Sequence, residues 1–162
     1  MSFEIERKFL VTGEFKAKAF AKSRITQGYI STVSGITVRI RLRDDKAFIT
    51  IKGPSHDGGL SRYEFETEIP PDDARNLLKL CDGPLIDKTR WLVAEGKHVW
   101  EVDEFYGDNE GLILAEVELK DPHEPYVRPE FIGREVTGDR RYYNSHLRTC
   151  PYKLWGEKRN KE

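Results

Sequence analysis

The sequence has little of several features that mark large classes of proteins. It contains only two cysteines and four histidines in 162 residues, and none of them has a metal-ligand or CxxC spacing. No apolar run approaches the roughly 20 residues that a membrane-spanning helix needs, and the charged N-terminal stretch does not resemble a signal peptide. Walker-type GxxxxGK, GxSxG and HExxH motifs are absent, which argues against those enzyme classes. The sequence therefore predicts a cytoplasmic protein with reduced thiols and no membrane partner.

An excess of charge of either sign is also missing. The chain has 27 lysine and arginine residues against 28 aspartate and glutamate residues, so its formal net charge is -1 although 34% of its residues are charged. Such a balance gives no overall field that would attract nucleic acid, and any anion-binding site must be local. The length fits a single domain, 1–162, and no repeat or linker interrupts it.

The charges that are present follow the period of a β-strand. Glu4, Glu6 and Lys8 are spaced two apart in a segment typical of an opening strand, so they share one face while Ile5 lies on the other. Two carboxylates beside an ammonium group are expected where a divalent cation and a polyanion meet. A solvated sheet face is the alternative. The same alternation recurs along the chain, and single strands mostly carry charge of one sign, which favours a functional face.

Eight segments with this alternation are predicted as strands, and short turn sequences separate them. The predicted strands are 2–11, 24–32, 36–44, 46–53, 60–69, 84–94, 97–106 and 112–120. Helices are predicted at 14–22, 71–80 and 139–148, and a basic helix at 153–162. Three prolines after residue 121 predict that no further strand follows.

These elements predict a mainly β (α+β) fold, namely a closed eight-stranded antiparallel β-barrel with a few flanking helices. The charged faces hold similar numbers of acidic and basic residues, as a water-filled tunnel with paired charges would need. We therefore expect the charged faces to point inward and the helices to cover the apolar faces. A barrel of eight strands has room for one small ligand. Inside it, arginines and lysines would bind phosphate oxygens, and carboxylates would hold a hard cation.

The order of the charged motifs resembles that of the CYTH family, also called triphosphate tunnel metalloenzymes. The motifs that carry this resemblance are Glu4-x-Glu6-x-Lys8, Arg39-x-Arg41, Lys52 before a glycine, Glu64-x-Glu66, Lys88-x-Arg90, Asp103, Glu116-x-Glu118 and the stretch 133–139 with Tyr143 and Asn144. The resemblance covers about the whole chain. It implies an eight-stranded tunnel that binds a triphosphate and one or two divalent metal ions.

Combined with this resemblance, side-chain chemistry implies a role for each charged group. The expected metal ligands are Glu4, Glu6, Asp103, Glu116 and Glu118, and Mg²⁺ or Mn²⁺ suits such oxygen ligands. The expected triphosphate ligands are Lys8, Arg39, Arg41, Lys52, Lys88 and Arg90, which would neutralise the charge that develops in phosphoryl transfer. Lys8 and Arg39 are also expected to be catalytic. Glu64 and Glu66 would orient these cations or hold a second metal ion.

Two features leave alternatives open. Short bacterial proteins of the family carry a tyrosine at the position of Tyr29, and the resemblance implies that it is a catalytic proton acceptor or modulates metal binding. The alternative is a buried tyrosine whose hydroxyl is satisfied by a neighbour. The basic tail around Trp155 is either a gate at the tunnel mouth or a solvated terminus.

The leading functional prediction is a metal-dependent hydrolase that acts on inorganic triphosphate and also on nucleoside triphosphates. A class IV adenylyl cyclase, a thiamine triphosphatase and a non-catalytic polyphosphate-binding barrel are the alternatives. A pure anion binder is disfavoured, because carboxylates in its cavity would repel phosphate unless a metal ion were present. The expected partner is a small triphosphate substrate, and a homodimer is left open.

Overall fold

The computed structural model describes residues 3–156, in which nine strands form one sheet. The strands are β1 (Phe3–Val11), β2 (Ala21–Ile30), β3 (Thr37–Arg43), β4 (Lys46–Lys52), β5 (Ser61–Ile69), β6 (Asp82–Glu95), β7 (His98–Phe105), β8 (Ile113–Glu118) and β9 (Ile132–Glu135). The helices are α1 (Pro71–Leu78) and α2 (Asn144–Leu147), and 3-10 turns occupy Lys16–Lys18, Asp57–Gly59, Gly107–Asn109, Arg140–Tyr142 and Tyr152–Leu154. Among these residues no helix is long and apolar enough to cross a membrane.

Strand β1 closes the sheet into a barrel. The order of the strands is β5-β4-β3-β2-β6-β7-β8-β1, and an additional antiparallel pairing of β1 with β5 joins the two ends. The first residues of β1 pair with β5, and further along the strand the same edge of β1 pairs with β9. Closure removes the free edges of the eight-stranded sheet. The predicted eight-stranded antiparallel barrel is confirmed, whereas β9 lies in the stretch where the prolines predicted no strand.

The pairing register places the charged faces inside the barrel. Residues paired across antiparallel strands point to the same face, and Glu6 of β1 lies opposite Glu118 of β8. On the outer face of β1, β7 and β8, an apolar cluster includes Phe15 and Phe131, which come from outside the barrel strands and cover it. Helix α1 covers the outer face of β3 and β4 in the same way, which confirms the helix predicted at 71–80. The apolar side chains of these strands thus point outward to the residues that cover them, which leaves the charged side chains pointing into the barrel.

One part of the barrel interior is apolar. The register places Ile86 on the same face as Gln27 and Phe105 on the same face as Lys88, so both apolar side chains point inward. They belong to a buried cluster that includes Tyr142 and Leu147, from the segment after β9. This cluster, which we call the apolar floor, bounds the charged space inside the barrel.

The predicted helix at 14–22 is wrong. Only a short 3-10 turn forms there, and Ala21 already begins β2 because it pairs with Leu92 of the long strand β6. Phe15 packs against Trp91, with the ring centroids 6.1 Å apart, and against Phe131 at 6.0 Å. Pairing and packing with distant residues therefore override the local helical pattern.

The predicted helix at 139–148 forms only in two short pieces. A 3-10 turn that ends at Tyr142 is followed by α2, and Tyr143 between them is extended, with φ of -71° and ψ of 131°. Because of this break, both Tyr142 and Leu147 reach the apolar floor instead of lying along one side of a continuous helix.

The C-terminal segment is anchored by Trp155. Its ring centroid lies 5.2 Å from that of Tyr142 and 5.0 Å from that of Tyr152, and its indole N–H donates to the carbonyl oxygen of Cys150 at 3.2 Å. The described part of the predicted tail helix is a 3-10 turn rather than an α-helix, and 157–162 lie outside the described residues. Tyr152 and Trp155 therefore pack against the apolar floor, so the described part of the tail is not wholly solvated.

Two glycine-containing loops touch each other beside the barrel. Gly138 has φ of 81°, and a Cβ atom at this position would overlap the carbonyl oxygen of Gly58. We expect Gly138→Ala to lower the free energy of unfolding, measured by urea denaturation, by about 2–4 kcal/mol, because left-handed strain adds to a clash with backbone.

Gly58→Ala is the matched control for this substitution. Its φ is 68°, but nothing lies within 4 Å of a Cβ atom there. Only backbone strain remains, at a cost of about 1 kcal/mol. Equal losses of stability in the two variants would show that the contact between the loops has no energetic weight.

Candidate active site

Every residue predicted for the site except Asp103 lines one cavity inside the barrel, which we call the charged cavity. Its volume is about 250 Å³. The predicted residues that line it are Glu4, Glu6, Lys8, Tyr29, Arg39, Arg41, Lys52, Glu64, Glu66, Lys88, Arg90, Glu116 and Glu118. They come from every barrel strand except β7. Only closure of the barrel brings them together.

Arg41 is a buried cation with no ion pair among residues 3–156. Its side chain donates from Nε and Nη2 to Oε1 of Gln27, at 2.9 and 2.7 Å. Burial, together with the charges of Arg39 and Arg90, lowers the pKa of Arg41 to about 9. A neutral amide does not balance the charge, so this guanidinium is held in position and favours a bound anion.

Arg39 and Lys8 also have capacity to bind an anion. Nη2 of Arg39 lies 3.4 Å from the Glu66 carboxylate and 3.2 Å from the Thr50 hydroxyl, but its buried Nε has no hydrogen-bond partner. Nζ of Lys8 donates to the carbonyl oxygen of Tyr142 at 3.0 Å and makes no ion pair within the described part of the chain. Buried donors without partners are rare in proteins. Both side chains are therefore suited to phosphate oxygens.

Asp103 lies among cations and not with the other carboxylates. It is 2% exposed, and its oxygens accept hydrogen bonds from Nε and Nη2 of Arg90 at 2.8 and 2.9 Å, while Nζ of Lys88 lies at 2.7 Å. Burial alone would raise the pKa of Asp103, but the charges of Arg90 and Lys88 outweigh burial and hold the pKa well below its ordinary value. This placement supports a role in positioning the two cations in place of the expected metal ligation.

Lys88 is a buried cation at the border of the apolar floor. It is 1% exposed, and its Nζ donates to Oδ1 of Asn144 at 2.8 Å. Burial lowers the pKa of Lys88 to about 7, with the charges of Arg90 and Arg41 adding to the effect and Asp103 opposing it. A bound phosphate would favour the charged form of this lysine.

The carboxyl groups of β1 and β8 crowd one another. Glu6 and Glu116 share a hydrogen bond, and burial raises the pKa of Glu6 well above its ordinary value, with Glu116 and Glu4 adding to the effect. Burial also raises the pKa of Glu118. Glu4 differs, because it forms an ion pair with Lys52 at 2.9 Å. The pKa of Glu116 is instead held well below its ordinary value, because the charges of Lys8, Arg90 and Lys88 outweigh burial. Burial and repulsion between neighbouring carboxylates therefore act mainly on Glu6 and Glu118.

Comparison of the sequence with known proteins identifies the family. A family model of the CYTH domain matches residues 2–144. The chain belongs to the CYTH family. An inorganic triphosphatase of Acetivibrio thermocellus is 46% identical to it over 159 residues, which cover 97% of this chain and 100% of that protein. An inorganic triphosphatase of Nitrosomonas europaea is 36% identical over 153 residues, which cover 89% of this chain and 95% of that protein.

Solved structures share the CYTH fold. The inorganic triphosphatase NE1496 is 30% identical with a TM-score of 0.64, and the match covers 91% of this chain and 95% of that one. The PH1012 protein of Pyrococcus horikoshii is 21% identical with a TM-score of 0.59, and the match covers 74% of this chain and 80% of that one. At 21% identity, the likeness to the PH1012 protein shows a shared fold alone.

CYTH triphosphatases in general depend on a metal ion, and the carboxylates of this chain fit one. Among residues 3–156 no group of three or more acidic, histidine or cysteine side chains is already arranged to hold an ion. Glu6, Glu116 and Glu118 nevertheless offer the oxygen ligands that hard divalent cations prefer. A divalent cation would also neutralise the charge that contributes to the raised pKa values of Glu6 and Glu118. Glu4 could join them by leaving Lys52.

Tyr29, at the position discussed for the CYTH family, lines the charged cavity with a satisfied hydroxyl. It is 5% exposed, and its oxygen accepts a hydrogen bond from Nε2 of Gln27 at 2.7 Å. This contact agrees with the interpretation of a buried tyrosine whose hydroxyl is satisfied by a neighbour. The role of a proton acceptor stays a prediction.

Sequence reasoning assigned no role to four polar residues that hold the charged side chains in place. They are Gln27, Thr50, Arg62 and Asn144. The strand period was the available signal for three of them, because Gln27, Thr50 and Arg62 each lie two positions from a predicted site residue and share its face. Asn144 lies in the short helix α2, where no strand period applies.

Proposed function

We propose that this protein is an inorganic triphosphatase, a metal-dependent hydrolase that cleaves a phosphoanhydride bond of inorganic triphosphate with water and forms phosphate and pyrophosphate. The two relatives named inorganic triphosphatase support this proposal, because 46% and 36% identity extend over 97% and 89% of the chain. Nucleoside triphosphates are proposed as further, weaker substrates.

The observation that carries the proposal is the separation of unpaired charge inside the cavity. Arg41 and Lys8 make no ion pair within residues 3–156, and Arg39 has a buried donor without a partner. Glu6, by contrast, is buried beside Glu116 and Glu4, and burial and the charges of these two carboxylates raise its pKa well above its ordinary value. One set of groups favours an anion and the other favours a cation. A triphosphate bound together with a divalent metal ion satisfies both sets.

The cations are preorganised by contacts with their neighbours. Lys52 lies 3.6 Å from Glu64, and Arg39 lies 3.4 Å from Glu66, which supports the expectation that these two glutamates orient the cations. Negative charge builds up on the leaving pyrophosphate when the terminal phosphoryl group is transferred to water. Cations that are already in place stabilise this charge without further reorganisation.

We propose Mg²⁺ or Mn²⁺ as the metal ion, held by Glu6, Glu116 and Glu118 with Glu4 as a further ligand. Mg²⁺ retains several waters and binds through one or two carboxylates plus substrate phosphates, and Mn²⁺ accepts the same oxygen ligands. When bound, such an ion would neutralise phosphate charge and lower the pKa of a coordinated water.

The test of the proposed function is phosphate release from inorganic triphosphate, ATP and thiamine triphosphate in the presence of Mg²⁺, Mn²⁺ or EDTA. We expect inorganic triphosphate to have the highest kcat/KM with one of the two metal ions and no turnover in EDTA. Absence of turnover for every substrate with either metal would refute the enzymatic proposal. A higher kcat/KM for thiamine triphosphate, or formation of cyclic AMP from ATP, would replace the proposed substrate.

A substitution in the phosphate-binding groups follows from the same proposal. We expect Arg39→Ala to lower kcat/KM for inorganic triphosphate by roughly 10- to 1000-fold, because a preorganised cationic donor is lost. The melting temperature should not fall, because the substitution removes the repulsion between Arg39 and Arg41. Steady-state kinetics and a thermal melt of the same sample measure both effects.

Arg24→Ala is the control for this substitution. Arg24 has the same charge but is exposed and paired with Asp87 at 2.6 Å, away from the charged cavity, so the kinetics should not change. A sharp fall in the melting temperature of Arg39→Ala with unchanged KM and kcat would show that Arg39 is structural.

A further inference from the structure

Gln27 joins three residues of the charged cavity in one buried hydrogen-bond network. Its side chain is 0% exposed, although an amide has an acceptor oxygen and two N–H donors. The oxygen accepts both hydrogen bonds of Arg41, and Nε2 lies 2.7 Å from the hydroxyl of Tyr29 and 3.4 Å from Oδ1 of Asn144. Because each donor and the acceptor of the amide has a partner, Gln27 is held in one orientation.

The partners of Gln27 decide which way its amide points. A guanidinium can only donate hydrogen bonds, so the atom that Arg41 contacts must be the amide oxygen. The amide nitrogen then faces the hydroxyl of Tyr29, and an amide nitrogen donates hydrogen bonds but does not accept them. Tyr29 is therefore the acceptor in this contact.

The hydroxyl of Tyr29 consequently has its own hydrogen left to donate. A phenolic hydroxyl donates one hydrogen bond besides those that it accepts. Within the described range 3–156, the hydroxyl of Tyr29 accepts from Gln27 and donates to no other side chain or carbonyl oxygen. Tyr29 lines the charged cavity together with Arg39 and Arg41. A ligand in this cavity is thus placed to accept the hydrogen bond.

The charge of the expected ligand determines what Tyr29 can do for it. Phosphate oxygens are acceptors, and a hydrogen bond from a hydroxyl to a charged oxygen is stronger than one between neutral groups. A phenolate at the same position would repel these oxygens. The direction of the contact with Gln27 therefore favours a tyrosine that binds the substrate over one that takes up a proton.

We propose that Gln27 is a positioning residue that directs the hydroxyl hydrogen of Tyr29 to a phosphate oxygen of the substrate. Tyr29 then touches triphosphate as a hydrogen-bond donor and is not the proton acceptor that the family resemblance implies. This inference rests on the proposed function, because triphosphate is the ligand that supplies the phosphate oxygen. A network that only satisfies buried polar groups is the competing explanation.

The first test measures kcat/KM of Tyr29→Phe for inorganic triphosphate at several pH values around neutrality. We expect a fall of about 10- to 100-fold, because a hydrogen bond to a charged oxygen is lost. The factor should be the same at each pH, since the hydroxyl donates throughout this range. A proton acceptor must first lose its own hydrogen, so its contribution would grow with pH. An unchanged kcat/KM, or a factor that increases with pH, would overturn the proposal.

Tyr63→Phe is the matched control for Tyr29→Phe. Tyr63 is 43% exposed, its ring centroid lies 6.2 Å from that of Phe3, and it does not line the charged cavity. Removal of its hydroxyl should leave kcat/KM and the pH profile at the wild-type values. A fall as large as that of Tyr29→Phe would show that the effect is not specific to the cavity, and the proposal would be lost.

Gln27→Glu tests the positioning role. The carboxylate still accepts both hydrogen bonds of Arg41, but it cannot donate to Tyr29 and instead accepts the hydroxyl hydrogen. Adding Tyr29→Phe to Gln27→Glu should therefore lower kcat/KM by less than about 2-fold, in contrast to its effect in the wild type. The melting temperature of Gln27→Glu should not fall, because the buried Arg41 gains a counterion. Equal effects of Tyr29→Phe in the two backgrounds would contradict the role of Gln27.

Failure of the proposed function can be distinguished from failure of this inference. If the wild type does not hydrolyse triphosphate, the proposed function fails, and calorimetric titration with inorganic triphosphate gives Kd for the wild type and Tyr29→Phe. A Kd that is about 10- to 100-fold higher for Tyr29→Phe supports the donor role. Equal Kd values, or no binding by the wild type, overturn it. Tyr29→Phe retains the ring that packs in the apolar floor, so this comparison does not depend on the folding of Gln27→Glu.

Discussion

Glu6→Gln should remove most of the triphosphatase activity and leave the fold intact. The amide keeps the shape of the carboxyl group and can donate the hydrogen bond that Glu6 shares with Glu116. It cannot supply the negative charge to which a divalent cation binds. We expect kcat/KM for inorganic triphosphate to fall by about 10²- to 10³-fold, as for the loss of one preorganised electrostatic contact.

Glu104→Gln is the matched control for Glu6→Gln, and the melting temperature with and without metal ions gives a readout that does not depend on turnover. Glu104 lies in β7, and its carboxylate contacts Lys16 at 3.0 Å and does not line the charged cavity, so Glu104→Gln should retain activity. Binding of Mg²⁺ or Mn²⁺ to the native state should raise the melting temperature of the wild type and of this control. The increase should be small or absent in Glu6→Gln. Wild-type turnover by Glu6→Gln would exclude this carboxylate as a metal ligand.

The raised pKa of Glu6 adds a dependence on pH. Burial, with help from Glu116 and Glu4, makes the folded protein retain a proton that the unfolded chain loses near its ordinary value of about 4.3. The contribution of Glu6 to the stability of the metal-free protein therefore decreases as pH rises from that value towards the raised pKa. A metal ion must displace this proton. The metal-induced rise in melting temperature should consequently grow with pH across the same range, and less so in Glu6→Gln.

The barrel and most of its interior could be predicted because strands carry their own signal. In β3 the arginines alternate with Val38, Ile40 and Leu42, and this period of two identifies both the strand and its inward face from sequence alone. The same argument placed Glu6 and Glu118 on inward faces, and the register confirms that they are opposite one another. Local alternation is sufficient wherever a strand separates a charged interior from an apolar cover.

The elements that could not be predicted depend on contacts between distant residues. Strand β9 has four residues, and it exists because β1 has a free edge beyond its pairing with β5. The apolar floor forms because Tyr142 and Leu147 meet inward-facing side chains of strands far away in the sequence. The partners of Asp103 follow from the register of β6 and β7, in which it lies opposite Arg90. A local pattern shows that a carboxylate points inward but not whether it meets a metal ion or a cation.

Asp103→Asn decides between these two roles through stability. If Asp103 is the counterion of the buried cations, the substitution leaves Lys88 and Arg90 buried near Arg41 without their compensating charge. Removal of one partner of a buried ion pair costs about 3–5 kcal/mol. For a chain of this length, we expect the melting temperature to fall by on the order of 10 °C. Thermal and urea denaturation without metal ions measure the effect.

Glu101→Gln is the control for Asp103→Asn, since Glu101 shares the inward face of β7 and lies 3.3 Å from Arg90, but its side chain is 40% exposed. An exposed pair of this kind contributes at most about 1 kcal/mol.

The pH profile gives a second readout. Because Arg90 and Lys88 outweigh burial and depress the pKa of Asp103, its contribution is complete above the unfolded value of about 3.9 and is lost as pH falls below it. The difference in stability between the wild type and Asp103→Asn should therefore shrink as pH falls below this value. Unchanged stability combined with loss of the metal-induced rise in melting temperature would instead restore Asp103 to the metal ligands.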